Sequence, residues 1–230
     1  MPSFRLLPVL ALAAAGACHR SSSAPTAGES PERLALFAPD APIFQRPAPP
    51  RFGILFETSA GNFTIDVHRD WAPIGVDRLY HLVRAGFFDD SRFSRVVPNF
   101  IVQFGIPGDP RITAEWKDRQ LHDDPVRHPN TRGTIAYAMT GPNTRTHQLF
   151  ISRVDNTRLD AQGFSPLGEI IEGMDVVDRI YSGYGETSGG GMRAGKQQEV
   201  LSQGNAWLDA NFPKLDRLIR ARIVPAPGGG

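Results

Sequence analysis

The chain has 230 residues, 40% of them apolar, and 25 basic against 24 acidic side chains leave a formal net charge of +1. That length supports one domain with a proper core rather than two large ones, and the balanced charge excludes the basic surface that nucleic-acid binding relies on. A single cysteine, Cys18, excludes an intrachain disulfide and a thiolate metal cluster, while 23 glycines and 20 prolines point to a turn-rich, β-rich fold.

The first twenty residues, MPSFRLLPVLALAAAGACHR, place Arg5 ahead of an apolar run over 6–14 and then small residues. The run is too short to span a bilayer and reads as a signal peptide over 1–17. Ala15-Gly16-Ala17-Cys18 resembles the lipobox of bacterial lipoproteins, which implies a lipidated Cys18 and a membrane anchor. Ala15-Gly16-Ala17 also fits the A-x-A pattern of ordinary secretory cleavage. Either way the chain is exported, to the cell envelope or periplasm.

Residues 18–50 are rich in Ser, Ala and Pro and read as a semi-extended tether, within which Leu34-Ala35-Leu36-Phe37 could dock. The globular part begins near Arg51. RFGILFETSAGNFTIDVHRD alternates, with Phe52, Ile54 and Phe56 on one face and Phe63, Ile65 and Val67 after a Ser-Ala-Gly-Asn turn, which is a hairpin with one buried face. WAPIGVDRLYHLVRAGF reads as a helix, with Pro73 near its start, Gly86 past its end and Val76, Leu79, Tyr80 and Val83 as its stripe. Further strands are expected at 93–97, 100–104, 133–139 and 148–152, a second helix at 174–181, a solvent loop in SGYGETSGGGM, and a strand near 198–203. RLIRARIV near the end reads as an edge strand. Many strands, two helices and no βαβ rhythm predict a mainly β fold: a closed antiparallel barrel capped by two helices.

Two segments carry polar groups among aromatics. In FSRVVPNFIVQFG, Arg95 shares a face with Phe93 and Val97; Ile101 and Gln103 share one face, and Phe100, Val102 and Phe104 the other. In GTIAYAMTGPNTRTHQLFIS, a Gly-Pro-Asn-Thr turn precedes Gln148, Phe150 and Ser152 on one face. Such a surface suits an extended, partly apolar ligand rich in carbonyls.

FSRVVPNFIVQFG and GPNTRTHQLFI resemble the two signature segments of cyclophilins, the peptidyl-prolyl cis–trans isomerases, and the likeness covers residues 51–203. The resemblance implies rotation of X–Pro bonds with no cofactor and no metal, on proline-containing polypeptides, here exported ones. It implies Arg95 as the catalytic arginine and Phe100, Ile101, Phe150 and Leu159 as the walls of the proline pocket. Gln103 would bind the substrate backbone, Ala138, Met139 and Thr140 would pair with the peptide, Gln148 would stand beside them, and Phe164 would close the rim. Ser94, Met139 and Arg158 depart from the family's usual histidine, asparagine and aromatic. A monomer is expected, with 204–230 packing on the barrel. The alternative is a proline-peptide-binding chaperone that keeps the groove without turnover.

Plainer readings stand beside these. An arginine such as Arg95 in an apolar strand is more often a structural partner of a carboxylate. The pattern HDDPVRH, with His122, Asp123, Asp124 and His128, is broken by proline and reads as a solvated loop rather than a metal site. No G-x-S-x-G elbow frames Ser94 or Ser152, so a hydrolase triad with His147 is not expected.

Overall fold

A computed structural model of the chain describes residues 30–188 and 197–228; the leader and Cys18 lie outside the described residues. In chain order the elements are α1 (Pro31–Ala35), β1 (Arg51–Thr58), β2 (Gly61–His68), α2 (Pro73–Arg84), β3 (Ser91–Arg92), β4 (Arg95–Val97), β5 (Ile101–Phe104), α3 (Pro110–Trp116), β6 (Thr134–Tyr137), β7 (Leu149–Ser152), β8 (Pro166–Glu172), α4 (Met174–Arg179), α5 (Gln198–Gln203), α6 (Asn205–Asn211) and β9 (Arg217–Val224). Nine strands form one curled antiparallel sheet in the order β3-β9-β1-β2-β8-β6-β7-β5-β4. Its hydrogen-bonded ladder has two ends, β3 and β4. These ends are consecutive in the chain, joined only by Phe93 and Ser94.

The β1–β2 hairpin pairs Arg51 with His68 through Thr58 with Gly61, leaving a two-residue turn. Gly61 adopts φ 125°, a conformation glycine takes without a Cβ clash. Phe52, Ile54, Phe56, Phe63, Ile65 and Val67 all enter the core, as the alternation predicts. Each such side chain contributes about 1.5–3 kcal/mol of transfer free energy against a fully exposed reference. Helix α2 lays Val76, Leu79 and Val83 on the inside of the sheet, and Tyr80 packs edge-on against Phe52 at 5.0 Å.

Asp124 starts α2, because Ala72 at the N-cap has no side-chain acceptor. Its Oδ1 and Oδ2 accept from the amides of Ile74 and Gly75, each at 2.9 Å, which satisfies two donors that a helix start leaves open. Arg145, 1% exposed, pairs with Asp124 at 3.1 Å and donates to His122 O. The segment HDDPVRH is a loop with His122, Pro125 and Arg127 exposed, but it is not wholly solvated. Its Asp124 is buried, and His128 stacks on Trp71 at 3.6 Å. Among the described residues no group of His, Cys, Asp and Glu is arranged to hold a metal.

Three further expectations change. From Ser30 onward the segment read as a tether is docked: Leu36 is fully buried, Trp116 Nε1 donates to its carbonyl at 2.8 Å, and Ala48 N donates to Asp77 Oδ1 at 2.8 Å. Residues 198–203 are helix α5, not a strand. Val200 and Leu201 are adjacent rather than alternating, and Val200 buries itself with Ile106, Leu208 and Leu215 in a small cluster of its own. RLIRARIV is β9, paired along β1 on one side and with the two residues of β3 on the other, so it lies inside the ladder rather than at its end. Helices α3 and α6 and strands β3 and β8 were not expected. No helix among the described residues is long and apolar enough to cross a membrane.

Asp124→Ala removes one of the two carboxylates that face the buried Arg145 guanidinium, leaving Asp123 Oδ1 at 3.2 Å, and leaves two α2 amides without acceptors. We expect a loss of about 3–5 kcal/mol, read from urea midpoints. A loss below about 1 kcal/mol would show that the pair is not structural. A second test concerns acid. His147 is buried with Nδ1 on Gly105 O at 2.8 Å, and desolvation lowers its pKa from 6.5 to about 4. The unfolded chain then binds the proton more readily, so this contribution is present above about pH 6.5 and is lost as pH falls toward 4. On the order of 3 kcal/mol should disappear over that window, and His147→Asn should flatten the slope. An unchanged slope would refute the assignment.

Candidate active site

Antiparallel register brings the site together. Arg95 of β4 lies opposite Gln103 of β5, Gln103 opposite Phe150 of β7, and Phe150 opposite Ala136 of β6. These four residues form one row across four strands. Side chains alternate between faces, so their neighbours Val96, Val102, Leu149, Ile151, Ile135 and Tyr137 all point into the main core. The row therefore lies on the outer face of the sheet. There Ile101, Ala136, Phe150 and Leu159 form a separate apolar cluster with Phe100, Ala138 and Phe164 packed against it.

Phe100 departs from the strand pattern. It precedes β5 in the Pro98–Asn99 turn, where Asn99 has φ 55°, and so it joins the outer face instead of following Val102 and Phe104 inward. Its ring lies under two guanidinium groups, Arg95 at 5.8 Å and Arg158 at 4.7 Å. Leu159 comes from a 3₁₀ turn (Thr157–Gln162) that ends on Gly163 at φ 86°. Phe164 follows and packs edge-on against Phe150 at 5.6 Å.

These walls enclose a cavity of about 220 Å³ bounded by Arg95, Phe100, Ile101, Phe150, Leu159 and Phe164. That is smaller than the roughly 300–1,000 Å³ of pockets that enclose drug-sized ligands, so it suits one compact side chain rather than a cofactor. Beside it lies a second, more polar depression lined by Lys117, Gln120, Thr144 and Gln148. Gln103, Ala138 and Met139 belong to both, so the two form one groove. Residues 138–140 run past the end of β6. Ala138 N still donates to Gln148 O at 2.9 Å, Met139 is buried, and Thr140 N is taken by Thr144 Oγ1 at 3.0 Å.

A chain of hydrogen bonds crosses the groove floor. Arg95 Nη1 donates to Gln103 Oε1 at 3.0 Å, Gln103 Nε2 to Gln148 Oε1 at 2.9 Å, and Gln148 Nε2 to Gln197 Oε1 at 3.4 Å. At the other end Arg95 Nη2 donates to Glu186 Oε1 at 2.6 Å. The arginine thus has a carboxylate partner within the chain, as the plainer reading of an arginine in an apolar strand expects. Its Nε is buried without a hydrogen-bond partner among the described residues. Of the glycine-rich segment, residues 182–188 are not a plain solvent loop, and 189–192 lie outside the described residues. Gly185 O accepts from Val96 N at 3.2 Å and Ser188 Oγ donates to Ser94 O at 2.7 Å, so residues 185–188 cover the free edge of β4.

Sequence reasoning missed Glu186, Gln197 and two buried asparagines. Asn130 Nδ2 donates to Phe164 O and to Asp160 Oδ1, both at 2.7 Å, and Asn156 Nδ2 donates to Phe100 O at 3.0 Å. They fix the two aromatic walls through backbone carbonyls. No local pattern marks such residues, because their partners lie 30 or more positions away. Ser94 and Ser152 are buried, and His147 is committed to Gly105 O, so these three do not form a hydrolase triad.

The family described as "Cyclophilin type peptidyl-prolyl cis-trans isomerase/CLD" matches residues 54–202. A peptidyl-prolyl cis-trans isomerase of Acinetobacter baylyi is 34% identical over 135 residues, covering 54% of this chain and 69% of that protein. Peptidyl-prolyl cis-trans isomerase B of Escherichia coli is 34% identical over 157 residues, 64% of this chain and 91% of that protein. In fold, a crystal structure of a cyclophilin-type isomerase from Cryptosporidium parvum superposes with a TM-score of 0.55 at 18% identity, over 77% of this chain and 99% of the other. On the family match over residues 54–202 and these identities, the chain belongs to the cyclophilin-type peptidyl-prolyl cis–trans isomerases.

Proposed function

We propose that the isomerase works through Arg95, with the proline ring held between Phe100, Ile101, Phe150, Leu159 and Phe164. The observation that carries this reading is the row itself: a guanidinium and an amide stand on the rim of an apolar cavity of about 220 Å³, on the outer face of a packed sheet. A cyclophilin structure determined in the presence of the dipeptide Ala-Pro superposes at a TM-score of 0.53, which supports a proline-containing peptide as the ligand here.

The chemistry asks for little beyond these groups. Amide resonance sets a barrier of roughly 18–20 kcal/mol, while the two X–Pro isomers differ by only about 0.5–1 kcal/mol. No covalent bond breaks, so no nucleophile is required. At the twisted transition state the prolyl nitrogen turns pyramidal and regains its lone pair. An N–H of Arg95 aimed at that lone pair makes a bond that the ground state lacks, and such bonds raise rate. A charge-assisted hydrogen bond is worth about 1.5–3 kcal/mol, or roughly one to two powers of ten. The remainder comes from the cavity walls, which withdraw water from the carbonyl, and from Gln103 with residues 138–140, which hold the flanking backbone in place.

The leader motif supports an exported chain, lipidated at Cys18 and anchored to a bacterial membrane, where exported polypeptides would be its substrates. The two ends of the ladder are joined by Phe93 and Ser94 alone, which supports a sheet closed into a barrel by the chain itself.

A proline-tetrapeptide assay on wild type beside Arg95→Ala tests the central claim. We expect at least a tenfold, and up to about a hundredfold, loss of kcat/KM while peptide binding survives in part, with no rescue by Arg95→Lys, since an ammonium cannot reproduce the planar fork. Near-normal rates in the lysine variant would refute the guanidinium account. A wild type that binds proline peptides without accelerating rotation would instead establish a binding chaperone. For the leader, Cys18→Ser should release the mature chain from the membrane fraction or leave it unprocessed; unchanged fractionation would rule out lipidation.

A further inference from the structure

Arg95 is held at both terminal nitrogens. Gln103, its ladder partner on β5, takes Nη1 at 3.0 Å, and Glu186, 91 residues downstream in the glycine-rich loop, takes Nη2 at 2.6 Å. A planar guanidinium anchored at both ends cannot turn about its own axis without breaking a charge-assisted bond. The Arg95 side chain is only 10% exposed against 41% for Glu186. Desolvation therefore falls mainly on the cation, which a nearby carboxylate compensates.

The carboxylate is delivered by a docked segment. Val96 N donates to Gly185 O, Ser188 Oγ donates to Ser94 O, and Tyr184 packs edge-on against Tyr181 at 5.2 Å and Phe212 at 5.1 Å. These contacts place Glu186 beside β4 without help from the ion pair. Two hydrogen-bonded residues, one on each side, thus define the plane in which the remaining N–H groups of Arg95 lie. The cavity is bounded by Arg95 itself, so that plane decides where those donors point.

We propose, resting on the reading of Arg95 as the catalytic residue, that Glu186 is a positioning residue for the isomerisation. It touches no reacting atom. It holds the guanidinium plane so that a donor is already directed when the prolyl nitrogen loses its planarity, which makes its contribution a transition-state one. Loss of Glu186 should then lower kcat and leave KM nearly unchanged. Because the carboxylate is partly exposed, the effect is modest, about three- to tenfold.

The test uses the full chain in four forms: wild type, Glu186→Ala, Arg95→Ala and the double variant, with kcat and KM measured separately on a proline tetrapeptide. Glu186→Ala is expected to lower kcat about three- to tenfold with KM within about twofold. Glu186→Gln, which keeps an acceptor oxygen, should recover part of the loss. In the Arg95→Ala background, assayed at high enzyme concentration, removing Glu186 should cost nothing more. An unchanged or faster Glu186→Ala enzyme would overturn the proposal and show that the carboxylate restrains the arginine. An equal loss in the Arg95→Ala background would also overturn it, by showing that Glu186 acts through the loop's folding. Full activity in Arg95→Ala alone would refute the underlying reading, a result separate from either Glu186 outcome.

Discussion

A strand that buries one face must expose the other, and the groove depends on that constraint. On β4, β5, β7 and β6 the inward residues are Val96, Val102, Phe104, Leu149, Ile151, Ile135 and Tyr137, all in the main core. Their burial fixes the register, since a slip of one residue would turn them outward. The outward residues Arg95, Gln103, Phe150 and Ala136 are then aligned as a consequence. The row is positioned by apolar packing on the opposite side of the sheet. A cavity that must keep one small ring in place gains from this, because the core is the least deformable part of the molecule.

The same arrangement creates two costs that the rest of the chain meets. The first is an open strand edge at β4, which residues 185–188 cover with a backbone and a side-chain hydrogen bond. The second is a guanidinium placed among aromatic rings. It is met by Gln103 on one nitrogen, Glu186 on the other and the Phe100 ring beneath. One loop answers both needs. That explains why residues 185–188 are held against the sheet: they complete its edge and supply the counter-charge together.

What could be read from the sequence was what has a period. The β1–β2 hairpin and α2 show repeats of 2 and 3.6, and the residues assigned to their inner faces are buried apart from Tyr80, which is partly buried; Phe93, assigned to the face of Arg95, precedes β4 and lies in the core instead. Arg95, Phe150, Leu159 and Phe164 were legible through family likeness, and the structure brings them to one cavity. Phe100 was assigned to the wrong side of its strand because alternation was carried one residue into a turn, where Asn99 at φ 55° breaks it. Helices α3, α5 and α6 have six or seven residues each, too short for a periodic signal, and their stability is tertiary. Proline-rich residues 30–50 look like a tether, yet they dock through single contacts such as Trp116 to the Leu36 carbonyl. Glu186 was invisible for the same reason as Asn130 and Asn156: a bond across 91 residues leaves no mark on either neighbourhood.

In the role proposed for Arg95, ion pairing looks at first like a handicap, since the carboxylate reduces the field of the cation. The reaction argues otherwise. Rotation about an amide creates no formal charge; it returns a lone pair to nitrogen and withdraws partial negative charge from the carbonyl oxygen. A transition state of that kind rewards a donor with a fixed direction more than it rewards a net positive field. Direction is what a guanidinium anchored at both terminal nitrogens provides, and the anchoring is complete before the substrate binds. The counter-charge also removes the penalty of keeping a free cation beside Phe100 and Ile101. For this chemistry the pairing and the catalysis are compatible, and the row on the outer face of the sheet can be both stable and ready.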